Sequence, residues 1–322
     1  MELDPAIRND LVELIAANFR TGEVNELGRL VLGSFDSNEA AGKRAHVSLS
    51  PRQCAGLLVE RCESGNHLPA LIKLVVEVDD GVVRGRPVRV DGLEEFLGKL
   101  TLTGIHYDFR TRRVIPSCGD PLDLPNWGCL KDGKEYDITV ASLDIVGNSA
   151  KVRKLGTRRM EKLYGTLCRF LREKLSAVDG RIWSWAGDGG IIAFALKDHP
   201  SRAVRFAIEP RSTVPVFNLS ASGSPTADIA LRVGIDSGRV KFAIETGTIV
   251  SDVINHAAHL EKSAALPGTV AISRAVYDTL PPRVASVFRF GGIFEGRDYF
   301  RTIRRLDSLL CEEAADAQGR LA

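Results

Sequence analysis

The stretch DITVASLDIVGNS, residues 137–149, decides the fold of the larger part of this chain. It begins as an apolar, β-prone run that ends in an acid, Asp144, and it passes through Gly147 into the start of an amphipathic helix. A buried strand followed directly by a helix indicates a layered structure in which helices pack on a sheet. The end of such a strand is also where a rigid scaffold can present a carboxylate to a ligand.

A second acid, Asp188, lies at the tip of a predicted hairpin, RIWSWAGDGGIIAFA, residues 181–195. Its two strand-like runs meet at Gly187-Asp188-Gly189-Gly190, a strong signal for a tight turn. Amphipathic spacing predicts a helix over 151–175. Beyond the hairpin we expect a less regular stretch over 200–228, strands near 229–235 and 240–245, a helix over 250–263 and a strand–helix–strand tail to about residue 304. This order predicts an α+β fold with an antiparallel-rich sheet and helices packed on it.

The first third of the chain has the pattern of a small helical domain. Ser50-Pro51 is a typical helix start, an N-cap followed by Pro. Apolar spacing predicts helices over 5–19, from 51 onward, and around 27–32, 68–76 and 93–100. The predicted domains are a helical regulatory or adaptor domain (1–103), a Pro- and Gly-rich linker (104–133), a catalytic domain (134–305) and a C-terminal tail (306–322). A helical extension that only stabilises a dimer explains 1–103 equally well.

The composition excludes several classes of partner. Lys plus Arg (43) exceed Asp plus Glu (41) by only two in 322 residues, so no charge field favours nucleic acid or a membrane surface. No apolar run reaches the ~20 residues of a membrane span and no secretory signal is visible, so we expect a cytoplasmic protein. Cys54 and Cys62 predict packed thiols, whereas Cys118 and Cys129 lack the paired spacing of a zinc site.

Asp144 and Asp188 are the candidate chemical centre. Each has an ordinary explanation when taken alone, since an acid beside a glycine is common turn chemistry. Two acids held side by side repel each other unless divalent cations lie between them, which predicts a metal site. The loop after Asp144, with Gly147 and the amides at the helix start, is suited to binding phosphate.

Five motif regions occur in order: DIVGNS after a strand, a helix, a GDG hairpin, the strand LRVGIDSG and the helix VINHAAHLE. Over roughly residues 134–304 this set resembles the class III nucleotidyl cyclases, the adenylate and guanylate cyclase family. The resemblance implies that Asp144 and Asp188 bind two Mg²⁺ or Mn²⁺ ions, with help from the Ile145 carbonyl. The ions would activate the ribose 3′-hydroxyl for in-line attack on the α-phosphate. It also implies a head-to-tail homodimer with sites at the interface.

The resemblance assigns further residues. Arg232, Gly234 and Gly238 match the R-x-G-x-x-x-G strand of the family, and Asn255 matches its ribose-orienting Asn. The nucleotide-binding positions that it implies are Ile145, Val146, Gly147, Asn148, Ser149, Ser184 and Thr248. Diguanylate cyclases share the general fold, but AGDGG replaces their GG-[DE]-EF hairpin, so they are set aside.

The chain departs from the family at both positions that read the base. Adenylate cyclases have Lys four residues before the second metal Asp and Asp seven residues before the Asn; here these positions hold Ser184 and Thr248. Hydroxyls donate or accept by rotation, so they do not specify a purine. Their short reach also leaves a purine edge unpaired, at a cost of ~1–3 kcal/mol per buried group. The chain therefore resembles most the pyrimidine cyclases of bacterial Pycsar anti-phage systems.

The cations of the family's site are replaced as well. His259 stands at the position of the transition-state Arg, and Phe294-Glu295-Gly296-Arg297 replaces the L-K-G motif with its phosphate-binding Lys. The candidate sources of positive charge are Arg297, Lys151, Arg153 and His259, of which His259 serves only when protonated.

The hypothesis from sequence is a uridylate cyclase. It converts UTP, or less favourably CTP, to the 3′,5′-cyclic nucleotide and pyrophosphate, and the product activates an effector in anti-phage defence. A purine cyclase with a divergent pocket and a catalytically inactive nucleotide-binding module remain as alternatives. Two side-chain predictions accompany it: His256 lies on a helix surface, and Trp183 and Trp185 both point into the helix layer because they alternate with Ser184.

Overall fold

The chain consists of two compact units, Met1–Lys131 and Asp132–Ala322. The computed structural model describes residues 2–42, 49–117, 119–221 and 229–303. Cys118, Cys311 and the predicted tail, 306–322, lie outside these residues. We treat each unit by itself.

The first unit is mainly helical, with two small hairpins. The segment that we expect to be a linker contributes to this unit, because its second half carries buried side chains at Trp127, Cys129 and Leu130. The predicted packed thiols Cys54 and Cys62 are confirmed as buried and free. Its elements are α1 (Pro5–Asn18), α2 (Thr21–Leu32), α3 (Ser37–Ala40), α4 (Pro51–Ser64), α5 (Leu68–Val78), β1 (Gly81–Val83), β2 (Arg86–Val88), α6 (Leu93–Leu102), β3 (Ile105–Asp108) and β4 (Arg113–Pro116).

The second unit is built on one twisted, mostly antiparallel sheet, and the predicted α+β class is confirmed. Within the described residues seven strands form it: β5 (Glu135–Ile145), β6 (Arg181–Ala186), β7 (Gly189–Phe194), β8 (Leu231–Lys241), β9 (Val270–Ser273), β10 (Phe288–Phe294) and β11 (Arg297–Thr302). Their order is β10-β11-β9-β8-β5-β7-β6, and only β8 and β9 run parallel. The central strand β5 therefore has β7 on one side and β8 on the other.

Helices cover both faces of this sheet: α7 (Asn148–Leu155), α8 (Thr157–Ser176), α9 (His199–Ala221), α10 (Asp252–His259), α11 (Arg274–Tyr277) and α12 (Pro282–Ala285). The single helix predicted over 151–175 is two helices, because Gly156 adopts a φ of +82° that ends α7. Up to Ala221, the stretch predicted to be less regular (200–228) is the long helix α9, although Pro210 and Pro215 lie inside it, and residues 222–228 lie outside the described part of the chain. The apolar face of α9 is buried, with Phe206 against Phe194. The free energy gained by this burial exceeds the cost of the helical hydrogen bonds that the two prolines cannot donate.

Alternation along β5 separates two layers. The odd-numbered residues Ala141, Leu143 and Ile145 pack in a core with the buried faces of α8 and α9. The other face of β5 and β8 carries α10. Asp144 belongs to the second set and lies at the end of the strand.

A β-bulge in β6 changes the predicted direction of one tryptophan. Ile182 pairs with Ile192 and Ser184 pairs with Ile191, so Trp183 is the extra residue on its strand. Trp185 packs against the core under α8 and α9, as predicted. Trp183 is also buried, as expected of a core residue, but it packs on Phe242, with 5.9 Å between the ring centroids, and not with Trp185 in the core under α8 and α9. The alternation on which that prediction depended is broken by the bulge.

Gly234 allows the layer of α10 to lie directly on β8. A Cβ atom at this position would overlap the carbonyl oxygen of Ala257 and the amide nitrogen of Glu261, both of which are backbone atoms. Glu261 belongs to a π-helical turn, Leu260–Ala264, that continues α10. Such turns insert an extra residue into a helix and redirect the side chains that follow.

We predict that Gly234→Ala strongly destabilises the second unit, because backbone atoms cannot move aside as a flexible side chain does. An overpacked site of this kind costs about 1–3 kcal/mol or more. Gly238→Ala is the matched control on the same strand, since its Cβ atom would meet only the Cγ2 atom of Val253 at 3.1 Å. Chemical denaturation of both variants measures the difference. Equal losses of stability would contradict the close packing at Gly234.

Candidate active site

The sheet register brings the two acids to one end of the sheet. Asp144 on β5 pairs with Gly189 on β7, and Asp188 is the next residue in the β6–β7 turn. Gly187, the first of the two turn residues, has a φ of +61°, which L-amino acids other than Gly rarely adopt. Gly189 leaves room for the acid opposite, since a Cβ atom there would lie 3.4 Å from Asp144 Oδ1 and overlap the Leu143 carbonyl.

Both carboxylates affect the pKa values of two neighbouring side chains, Tyr164 and Glu261. Burial raises the pKa of the Tyr164 hydroxyl, the hydrogen bond that it donates to Asn148 opposes this rise, and Asp188 and Asp144 add to it. Burial also raises the pKa of Glu261 from its ordinary 4.5 to about 7; Arg232 opposes this rise, while Asp144 and then Asp188 support it. Tyr164 is on α8 and Glu261 is on the π-turn, so the acids share one electrostatic environment between these elements.

A guanidinium group supplies the positive charge beside Asp144. The Nη2 atom of Arg232 donates a hydrogen bond of 2.6 Å to Asp144 Oδ2, across the β5–β8 register that pairs the two residues. Its Nε atom lies 3.0 Å from Glu261 Oε1. A cation of the protein itself therefore balances the first acid.

The residues present fit a divalent cation. Asp144 and Asp188 provide hard carboxylate oxygens, the ligands that Mg²⁺ and Mn²⁺ prefer. Ile145 has a hydrocarbon side chain, which is buried in the core, so its backbone carbonyl oxygen is the one atom that it can offer a metal. Among the described residues no group of three or more His, Cys, Asp or Glu side chains is arranged to hold a metal.

The loop after β5 has the expected form. The amide of Val146 donates to the Ala230 carbonyl, Gly147 has a φ of +67°, and α7 begins at Asn148. The Asn148 side chain accepts the hydrogen bond from Tyr164, which ties the start of α7 to α8. Ser149 is exposed in the first turn of α7. On the same helix, Lys151 is half-buried and Arg153 is exposed.

The two predicted base readers have different surroundings. Ser184 is half-buried on β6, next to the bulge. Thr248 is exposed in a short 3-10 turn, Thr246–Thr248, and donates its hydroxyl hydrogen to the carbonyl of Glu245 at 2.8 Å. Thr246 connects this turn to β6, because its hydroxyl donates to the Trp183 carbonyl at 2.6 Å. The turn and the strand of Ser184 are thus joined by a residue that the sequence analysis did not single out.

The predicted residues of α10, Asn255 and His259, make no hydrogen bond to Asp144 or Asp188 among the described residues. Asn255 and His259 lie one turn apart and are both exposed. His259 Nδ1 is 2.7 Å from Glu295 Oε1 in the β10–β11 turn. Glu295 replaces the expected phosphate-binding Lys, so this pair joins two positions at which the chain departs from the family pattern.

His256 is a buried residue, so its predicted position on a helix surface was wrong. It is 4% exposed, and its Nδ1 atom lies 2.9 Å from Oδ2 of the equally buried Asp236 on β8. The sequence could not identify this partner because it lies twenty residues earlier on another element. Arg297 Nη1 approaches the same carboxylate at 3.9 Å, at the edge of an open cleft that also includes Arg274.

The predicted catalytic residues therefore form two groups within one chain. Asp144 and Asp188 are with Arg232 at one end of β8. Arg297 lies beside Asp236. Asp236 is four residues after Arg232 on β8, which is about 13 Å at 3.3 Å per residue. The exposed face of α10, with Asn255 and His259, does not reach Asp144 by any hydrogen bond among the described residues.

Comparisons with known proteins give likenesses of structure. No family model matches the sequence, and no curated protein matches it. A double mutant of the guanylyl cyclase domain of the RhoGC fusion protein from the aquatic fungus Blastocladiella emersonii is 21% identical, covers 54% of this chain and 99% of that chain, and gives a TM-score of 0.47. The guanylate cyclase domain of RhGC from Catenaria anguillulae in complex with GTP is 21% identical to this chain. It covers 53% of this chain and 99% of that chain, with a TM-score of 0.44.

A third similar structure is the adenylyl cyclase CyaB from P. aeruginosa, at 20% identity, 53% of this chain, 96% of that chain and a TM-score of 0.46. At this level of similarity the function has to be inferred from the residues of the second unit. No helix in the described part of the chain has the length and apolarity needed to cross a bilayer.

We predict that Glu261 makes the stability of the second unit depend on pH. Its folded-state pKa of about 7 lies above the ordinary value of 4.5, so the folded protein binds the proton more tightly. The stability that this proton contributes is complete below about pH 4.5 and is lost as the pH rises to about 7, to a total of about 3 kcal/mol.

Glu261→Gln removes this titration. The unfolding free energy of the wild type should therefore fall, relative to that of the variant, between about pH 4.5 and pH 7. Denaturation of both proteins at a series of pH values measures it. A difference that stays constant over this range would rule out a raised pKa at Glu261.

Proposed function

We propose that this protein is a nucleotidyl cyclase that converts a pyrimidine nucleoside triphosphate, UTP in preference to CTP, to the 3′,5′-cyclic nucleotide and pyrophosphate. The observation that carries the proposal is the register of β5 with β7, which joins Asp144 to the Asp188 turn across Gly189. Two acids at one end of a rigid sheet, beside a loop that enters a helix, suit a triphosphate with its metal ions.

Asp144, Asp188 and the Ile145 carbonyl are the proposed ligands of two Mg²⁺ or Mn²⁺ ions. When bound, these ions lower the pKa of the ribose 3′-hydroxyl and neutralise charge on the triphosphate. The protein fixes both acids on backbone that the sheet holds, so little reorganisation is needed when substrate binds. The amides of residues 147–149 contribute hydrogen bonds to phosphate oxygens at the start of α7, since the Val146 amide already donates to the Ala230 carbonyl.

Positive charge for the departing pyrophosphate comes from the chain's own cations. Arg232 is already engaged by Asp144 and lies close to Glu261, so it is not assigned to the pyrophosphate. Arg297 is the proposed substitute for the missing Lys, because its planar group remains charged at all relevant pH values. His259 is a weaker substitute for the transition-state Arg, since it depends on protonation and has Glu295 as a partner.

The proposed base specificity depends on Ser184 and Thr248. Neither residue carries the charge or the reach of the Lys–Asp pair that binds adenine in adenylate cyclases. The Thr248 hydroxyl already donates to Glu245, so it offers the base an acceptor. An acceptor can pair with the N3–H group of uracil or with the 4-amino group of cytosine, so this contact suits either pyrimidine.

The complete site is proposed to form between two copies of the chain. Asp144 and Arg297 are separated along β8, and Asn255 and His259 are exposed on α10. A head-to-tail homodimer allows one protomer to supply the acids and its partner to supply Asn255, His259 and Arg297. The first unit, as a regulatory or adaptor domain, and an effector that binds the cyclic product in anti-phage defence complete the proposal.

We predict that Asp144→Asn and Asp188→Asn each abolish product formation, because the amide no longer neutralises the metal charge. The assay offers ATP, GTP, CTP and UTP separately with Mn²⁺ and detects cyclic nucleotide by mass. Asp137→Asn, an exposed acid on the same strand, is the matched control and should retain activity. A product from ATP or GTP alone would refute pyrimidine specificity, and no product from any triphosphate would refute the enzyme.

We also predict complementation between two inactive variants. Asp144→Asn and Asn255→Ala are each expected to be inactive as homodimers, but a mixed dimer has one site with both residues intact. Random mixing yields half mixed dimers with one working site of two, so about a quarter of wild-type activity should return. Activity measured after co-expression tests this. If the mixture stays as inactive as its components, each chain supplies its own site.

A further inference from the structure

Arg232 contacts two acids, but not equally well. It donates a short hydrogen bond to Asp144 Oδ2 at 2.6 Å. Its Nε atom is 3.0 Å from Glu261 Oε1, yet neither of these buried atoms makes a hydrogen bond, because the two groups are poorly aligned. The guanidinium is therefore committed to Asp144, while a second carboxylate is close and only partly used.

Glu261 is held in position by backbone packing. Its amide nitrogen and Cα atom lie directly over Gly234, two residues along β8 from Arg232. The side chain is 8% exposed and belongs to the π-turn that continues α10. Since the backbone of Glu261 cannot withdraw, a change in this contact has to come from the longer and more exposed side chain of Arg232.

A divalent cation on Asp144 would change the balance between these contacts. One carboxylate cannot fully neutralise both a divalent ion and a guanidinium, and like charges a few ångströms apart repel strongly in a partly buried site. Arg232 then loses most of its attraction to Asp144. Glu261 is the remaining acid within contact distance of its Nε atom among the described residues.

We propose that Arg232 is a built-in counter-ion that is exchanged between Asp144 and Glu261, and that Glu261 is the positioning residue that takes up Arg232 when a divalent cation binds Asp144. The inference rests on the proposed function in one respect, the metal ion on Asp144. It adds that metal affinity is set by a competing cation of the protein, and that Glu261 assists metal binding without being a ligand.

The test measures Mn²⁺ affinity of the full-length protein without any nucleotide, by the loss of the free Mn²⁺ signal in electron paramagnetic resonance. Arg232→Met removes the competing cation, so Mn²⁺ should bind about tenfold more tightly. Glu261→Gln leaves Arg232 with Asp144 as its only charged partner, so Mn²⁺ should bind about tenfold more weakly. The control Asp137→Asn should leave the affinity unchanged.

The double variant Arg232→Met/Glu261→Gln distinguishes this exchange from direct attraction. With Arg232 absent, Glu261 has nothing to take up, so the double variant should bind Mn²⁺ within about twofold of Arg232→Met. A double variant that binds clearly more weakly than Arg232→Met would make Glu261 a direct ligand or a through-space attractor and overturn the proposal. Unchanged or tighter binding by Glu261→Gln would overturn it too.

Two further measurements keep the result interpretable. Thermal unfolding in the presence of a chelator shows whether each variant is folded. A matched substitution, Glu261→Asp, shortens the side chain but retains the charge. It should bind Mn²⁺ with an affinity between those of wild type and Glu261→Gln. No triphosphate is present in this measurement. The opposite shifts in Mn²⁺ affinity expected for Arg232→Met and Glu261→Gln can therefore be observed even if the protein forms no cyclic nucleotide. Failure of the proposed function and failure of this inference are thus distinguished.

Discussion

The pairing of β5 with its two neighbours is the constraint on which the candidate site depends. On one side Asp144 faces Gly189, and on the other it faces Arg232, so one residue contacts the turn of the second acid and a balancing cation at once. A shift of one residue in either register would turn the carboxylate to the opposite face of the sheet. The buried odd-numbered side chains of β5 hold the register, because slipping would move them out of the core beneath α8 and α9. The packing of the core therefore also fixes the positions of the two acids.

Local patterns in the sequence predicted the parts of the site that local rules control. The GDGG turn predicted the β6–β7 hairpin because tight turns need residues that tolerate a positive φ, as Gly187 shows. The apolar run before Asp144 predicted β5, and the α+β class followed from the order of elements. The same rules failed at α9, where two prolines suggested irregular structure and a buried apolar face sustained a helix.

Features that depend on distant partners could not be predicted. The burial of His256 depends on Asp236, which lies on another element, and the role of Glu261 depends on Arg232 and on the glycine beneath it. A charged residue near the end of a helix is usually exposed to solvent, so the sequence around His256 and Glu261 gives no indication that these side chains are buried. The helical turn in which Glu261 lies is π-helical, and no spacing rule used on a single sequence identifies such a turn.

The bulge at Trp183 affects how base recognition can change. The residue is an insertion in the strand, because Ile182 and Ser184 pair with consecutive residues of β7. Loss of that one codon would remove the extra residue together with its packing on Phe242 and the carbonyl that accepts from Thr246, while leaving the residues of the acids and of the β6–β7 turn unchanged. The strand that carries Ser184 could therefore be remodelled independently of the metal site. Under the proposed function, the residues that select the base and those that bind the metal would then be free to change one at a time.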